Sequence, residues 1–509
     1  VKKAENAMTS SLSRRNILKG GAAATAATVV GWSVANSVFV TAAEAERGHG
    51  GGYATVPTLD GTFETVPAAL GRFSTDFGRL ITGTPKAVLR PGSVQDVSKI
   101  ITYARRYRLS VAMNGQSGSA AADFESHSSY GQAQVPGGIA IDARKFNQIH
   151  YITKGKAWVG AGVTIAELTN AALAQGQTTV GVTDYLHLSI GGVISVGGIG
   201  GQVQKHGLFA DTVLAIEIVT GTGEIVQASP TNRAELFNAA VAGAGQFGII
   251  TKVLVKLVPA PASALVINLF YNNLATFQAD QEKIMVENRV THQEGEIVRT
   301  LDDSGWRYKI EAVVYYTGTA PNQAAILSGL GDVRADAQIT TMSYTEWLFR
   351  IDPIETYLKE NGFWEQPKPW LSIVLPASAI KTFIPQVVAD LQPTDLGIGF
   401  SGLYPFLRGK LTHPFFMLPE NGEQKLWLFD LLRFPFPQDP NLQRMLDQNR
   451  RLYNLAKTFG GKRYTVGAIP GMTPTEWKGH FGGSYTKLVG LKAKYDPDRI
   501  LTPGQHFFA

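Results

Sequence analysis

The sequence predicts an α+β protein of two domains behind an export signal. Three observations carry the prediction. At 509 residues the chain is longer than one ordinary hydrophobic core supports. From about Phe73, short apolar runs alternate with amphipathic stretches of helical period. Beyond Pro259-Ala-Pro261 the segments lengthen and hold most of the tryptophans, including Trp306, Trp347, Trp364, Trp370 and Trp427. The boundaries read as an export signal over 1–45, a flexible lead over 46–72, a first domain over 73–261 and a second over 262–460. The turn-rich segment 461–509 returns to the first domain.

Ser13-Arg14-Arg15-Asn16-Ile17-Leu18-Lys19 is a twin-arginine pattern. An apolar Ala/Gly-rich stretch from Gly20 to Val40 follows, and then Ala43-Glu44-Ala45, an A-x-A-like cleavage site. The stretch is long enough to span a bilayer, so a retained anchor competes with removal. The cleavage site and weak hydrophobicity favour removal, a periplasmic or secreted protein and no stable membrane association afterwards. Twin-arginine export carries folded proteins, typically with a cofactor already inserted.

In the first domain, Ala87 to Pro91 reads as a strand. Val94 to Arg106 reads as a helix opened by Ser93 and apolar at Val97, Ile100, Ile101 and Ala104. Strands follow at Leu109–Met113, Gly138–Asp142 and Ala157–Ala161, then a helix from Thr164 to Gln175 with Glu167 in its first turn. Thr212–Thr220 and Glu224–Ala228 form a hairpin about Gly221-Thr-Gly223. Glu235–Val241 is helical, and Gly248–Val255 returns as a strand. No internal repeat is apparent.

Composition excludes several chemistries. There is no cysteine, so disulfides, thiolate metal sites, iron–sulfur clusters and thiol nucleophiles are ruled out. The nine histidines show no metal-ligand spacing, and no metal is expected. The 47 basic residues are dispersed and the net charge is only +6, which argues against nucleic acid. Gly243-Ala-Gly-Gln-Phe-Gly248 has the letters of a dinucleotide fingerprint but follows a helix and leads into a strand, the reverse of the required context. No phosphate-loop lysine motif and no nucleophile elbow is present.

The densest feature is Val182 to Gln202, with six glycines in residues 191–201 and Asp184 ahead of them. Glycines at this density let a backbone pass close to a ligand, or serve a tight turn between core strands.

Several separated runs, in order, resemble cytokinin dehydrogenases, flavoproteins of the vanillyl-alcohol-oxidase (p-cresol methylhydroxylase, PCMH) superfamily. They are Thr183-Asp-Tyr-Leu-x4-Gly-Gly-x-Ile-Ser, Gly198-Ile-Gly-Gly-Gln202, His206-Gly207 and Gly245-Gln-Phe-Gly-Ile-Ile-Thr251. In the second domain they are Ser343-Tyr-Thr-Glu-Trp-Leu348, Gly362-Phe-Trp364, Pro367-Lys-Pro-Trp-Leu371 and Leu431-Leu-Arg433. Trp477-x2-His480-Phe-Gly482 and Asp496-Pro-x3-Leu-x-Pro-Gly-Gln505 complete the set, which runs from about residue 75 to the C-terminus.

The resemblance implies a two-subdomain PCMH-type FAD-binding domain and an α+β substrate (cap) domain with an antiparallel sheet. It implies FAD contacts at Ser189, Ser195, Ile199, Ile250, Thr502 and Gln505, positions that ordinary packing would otherwise explain. The family's flavin-linking histidine lies in a Gly-His-Ser run followed by Gly-Gln-Ala. Here the sequence departs from the family. His127-Ser128-Ser-Tyr-Gly131-Gln132-Ala133-Gln134 fits after an insertion of about ten residues, whereas Asn114-Gly115-Gln116-Ser117 fits on length alone. His127 implies covalent FAD, with Ser128 and Gln132 beside it; Gln116 in that place implies a non-covalent flavin.

Asp184 is the expected catalytic base, a carboxylate able to take an amine proton; a helix cap is its alternative. Glu294, Glu296 and Glu311 are candidate substrate-orienting acids, and Phe363, Trp364 and Trp370 candidate pocket walls. His187 and His206 read as packing residues. The implied function is oxidation of the N6-isoprenoid side chain of an adenine, a small-molecule substrate. Oxygen or a quinone-like compound is the expected electron acceptor. The alternatives are oxidation of another amine or an alcohol, and a binding protein that keeps the fold without turnover.

Overall fold

A computed structural model describes residues 28–47, 52–123, 125–300, 302, 304–439 and 441–508. The first domain holds two sheets. The smaller orders its strands Thr62–Glu64, Ala87–Arg90, Ile139–Asp142 and Val111–Asn114. Its last three run parallel, with the helix Val94–Tyr107 as the crossover. Ser93 caps that helix, its hydroxyl accepting from the Asp96 N–H, and Val97, Ile100, Ile101 and Ala104 bury its apolar stripe. The second sheet is antiparallel, ordered Ile225–Ala228, Val213–Val219, Ile249–Pro259, Lys156–Gly160 and Ile149–Thr153. Ile165–Leu173 packs beside it, opened by a reciprocal Thr164–Glu167 capping box.

The second domain is built on one antiparallel sheet of eight strands. Their order is Gln338–Ser343, Ser263–Tyr271, Trp306–Tyr316, His292–Arg299, Phe400–Leu407, Lys425–Leu432, Leu371–Pro376 and Lys462–Arg463. Alternation along the strands gives the sheet two faces. Ile373, Leu403, Trp427 and Phe429 pack with Phe277, Phe383 and Leu452 of the covering helices. Val374, Tyr404, Phe406 and Leu428 point the other way and join the core of the first domain. The inner face of this sheet therefore forms the floor of whatever lies between the domains.

One sequence expectation is corrected here. The described part of the lead over 46–72 is folded rather than flexible. Phe63 pairs with Leu89, and the Asp96 carboxylate accepts from the Asp60 and Gly61 N–H groups at 2.9 and 2.8 Å. A three-residue strand carries too little periodicity to be read from sequence. The end of the apolar stretch is folded as well. Val29–Ser33 and Val38–Thr41 form a hairpin that buries Trp32 and Phe39, with Phe39 edge-on to Phe63. The twin arginines and residues 48–51 lie outside the described residues. Among those described, no helix is long and apolar enough to cross a membrane.

Lys462–Arg463 pairs with Leu371–Pro376, so the chain leaves the second sheet three residues later than expected. It then packs on the first domain. Leu501 bridges Val111, and the buried Lys492 ammonium donates to the Gln246 carbonyl at 2.9 Å.

Candidate functional site

A cavity of about 670 Å³ lies between the domains. The first domain supplies residues from 113–116, 125–133, 183–199 and 244–250, with Thr502 from the C-terminal segment; the sheet floor supplies Glu294, Glu296, Glu311, Ser372, Tyr404 and Asp430. Of the residues singled out in the sequence, His127, Ser128, Gln132, Asp184, Ser189, Ser195, Ile199, Ile250 and Thr502 all line this one space. Gln505 stands behind the wall, donating to the Thr465 carbonyl at 3.0 Å. Trp364 and Trp370 are walls, whereas Phe363 packs with them in a small aromatic cluster instead.

The glycine-rich stretch proves to be two things. Its first half is a short helix, Ile190–Val196, starting at Ser189. Its second half lets protein approach protein. Gly198 has φ +75°, and a Cβ on Gly201 would stand 2.4 Å from the ring of His292. The glycines therefore seat the second domain's histidine as well as forming cavity wall.

His127 is half-buried, its ring stacked on Phe77 at 4.1 Å between centroids, with Tyr185 and Trp370 around it. Burial, reinforced by the Lys368 cation, pushes its pKa down to about 3, so the imidazole is neutral. Its Nδ1 has no hydrogen-bond partner. Gln116 also lines the cavity, but its carboxamide donates to the Gly118 carbonyl at 2.7 Å and to that of Ala120. That side chain is spent on folding its own loop. Asp76, which the sequence did not single out, anchors the turn after His127. Its Oδ2 accepts from the Gly131 N–H at 2.6 Å and the Ser128 hydroxyl at 3.1 Å. Burial, only partly offset by those bonds, raises the Asp76 carboxyl to about 7.

The loop ahead of His127 ties the domains together. The Ser119 N–H and hydroxyl both donate to Glu355 at 2.8 Å, and Lys359 bridges Asp123 and Glu355. Glu355 and Lys359 belong to the helix Asp352–Glu360 of the second domain.

Asp184 faces the floor. Arg350 donates to its Oδ1 at 2.8 Å and the Tyr404 hydroxyl donates to its Oδ2 at 3.2 Å. Arg350 stacks over Trp347 at 4.0 Å. Burial opposes its charge, but Asp184, Glu294 and Glu311 more than offset that and raise its pKa. Glu294 and Glu311 are cross-strand partners. Burial, with repulsion from Asp184 and Glu311, pushes the Glu294 carboxyl well above the usual range. His292 is pushed down to about 4 by burial against the pull of Asp184. Asp184, His292 and Glu294 bring ligand-type atoms within 4.8 Å of one another, as do His187, Asp352 and Glu355. Arg350 already supplies positive charge to the first group and Lys359 to the second.

The residues present suit a flavin. The cavity has the volume of a large ligand site, and a neutral histidine lines it. Comparison with known proteins decides the family. A family model described as cytokinin dehydrogenase 1, FAD and cytokinin binding, matches residues 297–508, and an FAD binding domain model matches 85–229. Cytokinin dehydrogenase 3 of Oryza sativa subsp. japonica is 33% identical, over 86% of this chain and 89% of its own.

The chain belongs to the cytokinin dehydrogenase family.

An uncharacterized oxidoreductase, ORF5 in the fasciation locus of Rhodococcoides fascians, is 34% identical over 88% of this chain and 99% of its own. The fold also matches 6-hydroxy-D-nicotine oxidase from Arthrobacter nicotinovorans, at TM-score 0.65 and 20% identity, over 87% of this chain and 96% of that one. A twin-arginine translocation signal matches residues 11–31 and marks the chain for export. As a cytokinin dehydrogenase family member it is an FAD-dependent amine dehydrogenase/oxidase on a PCMH-type fold, acting on a small molecule.

Arg350, Tyr404, His292 and Asp430 were missed in the sequence. Arg350 stands two residues beyond the quoted Ser343–Leu348 run, a local signal that could have found it. The others are placed by strand register.

Proposed function

We propose that this enzyme oxidises the N6-isoprenoid side chain of an adenine, with Asp184 as the base and FAD attached to His127. The observation that carries it is the arrangement at Asp184. An ionisable carboxylate, oriented by Arg350 and Tyr404, opens on a largely apolar cavity beside the buried acid Glu294. Bound FAD supplies the acceptor for the electron pair. Asp184 takes the proton from the secondary amine, and Arg350 and Tyr404 hold its two oxygens in place while it does so. Glu294, kept protonated by burial, offers a hydrogen bond to a ring nitrogen of the purine. Trp364 and Trp370 exclude water from the apolar part. The resulting imine hydrolyses to adenine and an unsaturated aldehyde.

His127, Ser128, Gln132, Ser189, Ser195, Ile199, Ile250 and Thr502 form the flavin side of the proposal, and Gln505 supports that wall indirectly. Covalent linkage at His127 is supported by its unpartnered Nδ1 and by the internal bonding of Gln116. Oxygen or a quinone-like compound takes up the electrons. Amine oxidation is favoured over alcohol oxidation by the pairing of a proton-accepting carboxylate with a second, protonated acid.

Anaerobic addition of N6-isopentenyladenine tests this directly. The 450-nm region of the flavin spectrum should bleach with the amine and not with simple alcohols; bleaching by the alcohols alone would contradict the proposal.

A further inference from the structure

His292 is a buried base that no step above uses. It opens the strand His292–Arg299, two residues before Glu294 and therefore on the same face of the sheet. Its side chain is 3% exposed, yet its Nε2 has no hydrogen-bond partner. Three carboxyl oxygens stand around that nitrogen at nearly one distance. Asp184 Oδ1 is 3.9 Å away, and Glu294 Oε2 and Glu311 Oε1 are each 4.0 Å away. Glu311 Oε1 is also unpartnered. Arg350 is the cation that faces the group, through its pair with Asp184.

The seat of the ring is built from both domains. Gly201 of the first domain meets it so closely that a Cβ there would stand 2.4 Å from both Cε1 and Nε2. The Gln293 N–H donates to the Gly201 carbonyl at 2.8 Å, and Trp347 meets the ring edge-on at 5.2 Å. His292 is thus fixed behind Asp184, which itself lines the cavity. Separations of 3.9–4.0 Å are too long for a hydrogen bond and span one water, and four polar partners suffice to hold it.

Granting that Asp184 is the base, as proposed above, we propose that His292 takes the proton on from Asp184 through one bridging water, which Glu311 helps to hold. The amine N–H bond breaks as the Asp184 O–H bond forms, and the electron pair leaves with the hydride to bound FAD as before. The Asp184 O–H bond then breaks as the water accepts its proton and passes one of its own to Nε2. Asp184 is again a carboxylate and His292 an imidazolium. Burial and Arg350 keep the ring neutral at rest, against the pull of Asp184 and Glu311, so it stands ready to accept. Once it is charged, those two carboxylates face it as counter-charges. The buried ring keeps the proton while Asp184 is free to draw another from the water that hydrolyses the imine.

The test uses flavin-loaded enzyme and N6-isopentenyladenine, and compares anaerobic single-turnover reduction with steady-state turnover. His292→Phe keeps a ring against Gly201 and Trp347 and loses the acceptor. Its kcat should fall more than its single-turnover rate does, by roughly tenfold, because only turnover needs Asp184 emptied again. His292→Gln, which can hold the water but cannot carry a proton, should show the same split. Equal loss of both rates would make His292 a packing residue and overturn the relay, as would no loss of either. Wild-type enzyme labelled with 15N-histidine decides even if the variants do not fold. Its infrared difference spectrum on anaerobic reduction should show one histidine becoming imidazolium. Reduction without that change sinks the relay alone; no reduction by the amine sinks the amine-oxidation proposal and the relay with it.

Discussion

Arg350 donates to Asp184 at 2.8 Å from a different domain, its guanidinium half-buried over Trp347 and facing Glu294 and Glu311. One cation thus serves three carboxyl groups at the meeting of the two domains. Removing it leaves buried carboxyl groups without their counter-charge, which costs about 3–5 kcal/mol when a buried pair is broken.

Arg350→Met should therefore slow flavin reduction by roughly tenfold or more, while Arg350→Lys, which keeps the charge without the planar fork, recovers part of the rate. Stopped-flow reduction on flavin-loaded protein measures both. Equal rates in all three forms would remove Arg350 from the account.

The attachment of the flavin separates His127 from Gln116. Acid-precipitated wild-type protein should remain yellow. His127→Ala should release its flavin into the supernatant, and Gln116→Ala should retain it. A colourless wild-type pellet would support the non-covalent alternative.

Asp76 gives a pH test. Between the carboxyl's ordinary value of 3.8 and about 7, the folded chain holds a proton that the unfolded chain has lost. Its contribution to stability therefore falls as pH rises across that window. Thermal midpoints of the wild type and Asp76→Asn should diverge in favour of the variant between pH 5 and 7.5. A difference independent of pH would contradict the raised carboxyl. Asp76→Ala, which removes the acceptor for Gly131 and Ser128, should destabilise by roughly 1–3 kcal/mol.

The loop ahead of His127 gives another. Lys359 joins Asp123 to Glu355 across the two domains. Lys359→Met should increase proteolytic cleavage within 117–126, read by mass spectrometry, with little change in global unfolding. Unchanged cleavage would show that the bridge does not hold the loop.

The first-domain strands and helices were legible because Ala87–Arg90, Val94–Tyr107 and Val213–Val219 carry local period and capping signals. The wall residues were legible only as an ordered set of motifs, since Ser195 or Ile199 alone looks like packing. What the sequence hid is whatever depends on long-range register. Glu294 and Glu311 are adjacent because two strands pair, and Asp430 meets Ser372 through another pairing. Neither relation has a local signature. The described lead over 52–72 was misread because its strands are two and three residues long.

The central claim is that Asp184 takes the amine proton, and one variant tests it most directly. Asp184→Asn keeps the shape and loses the base. With flavin still bound, the anaerobic reduction rate with N6-isopentenyladenine should fall roughly 10²–10⁴-fold. An unchanged rate in a variant with a wild-type flavin spectrum would contradict it.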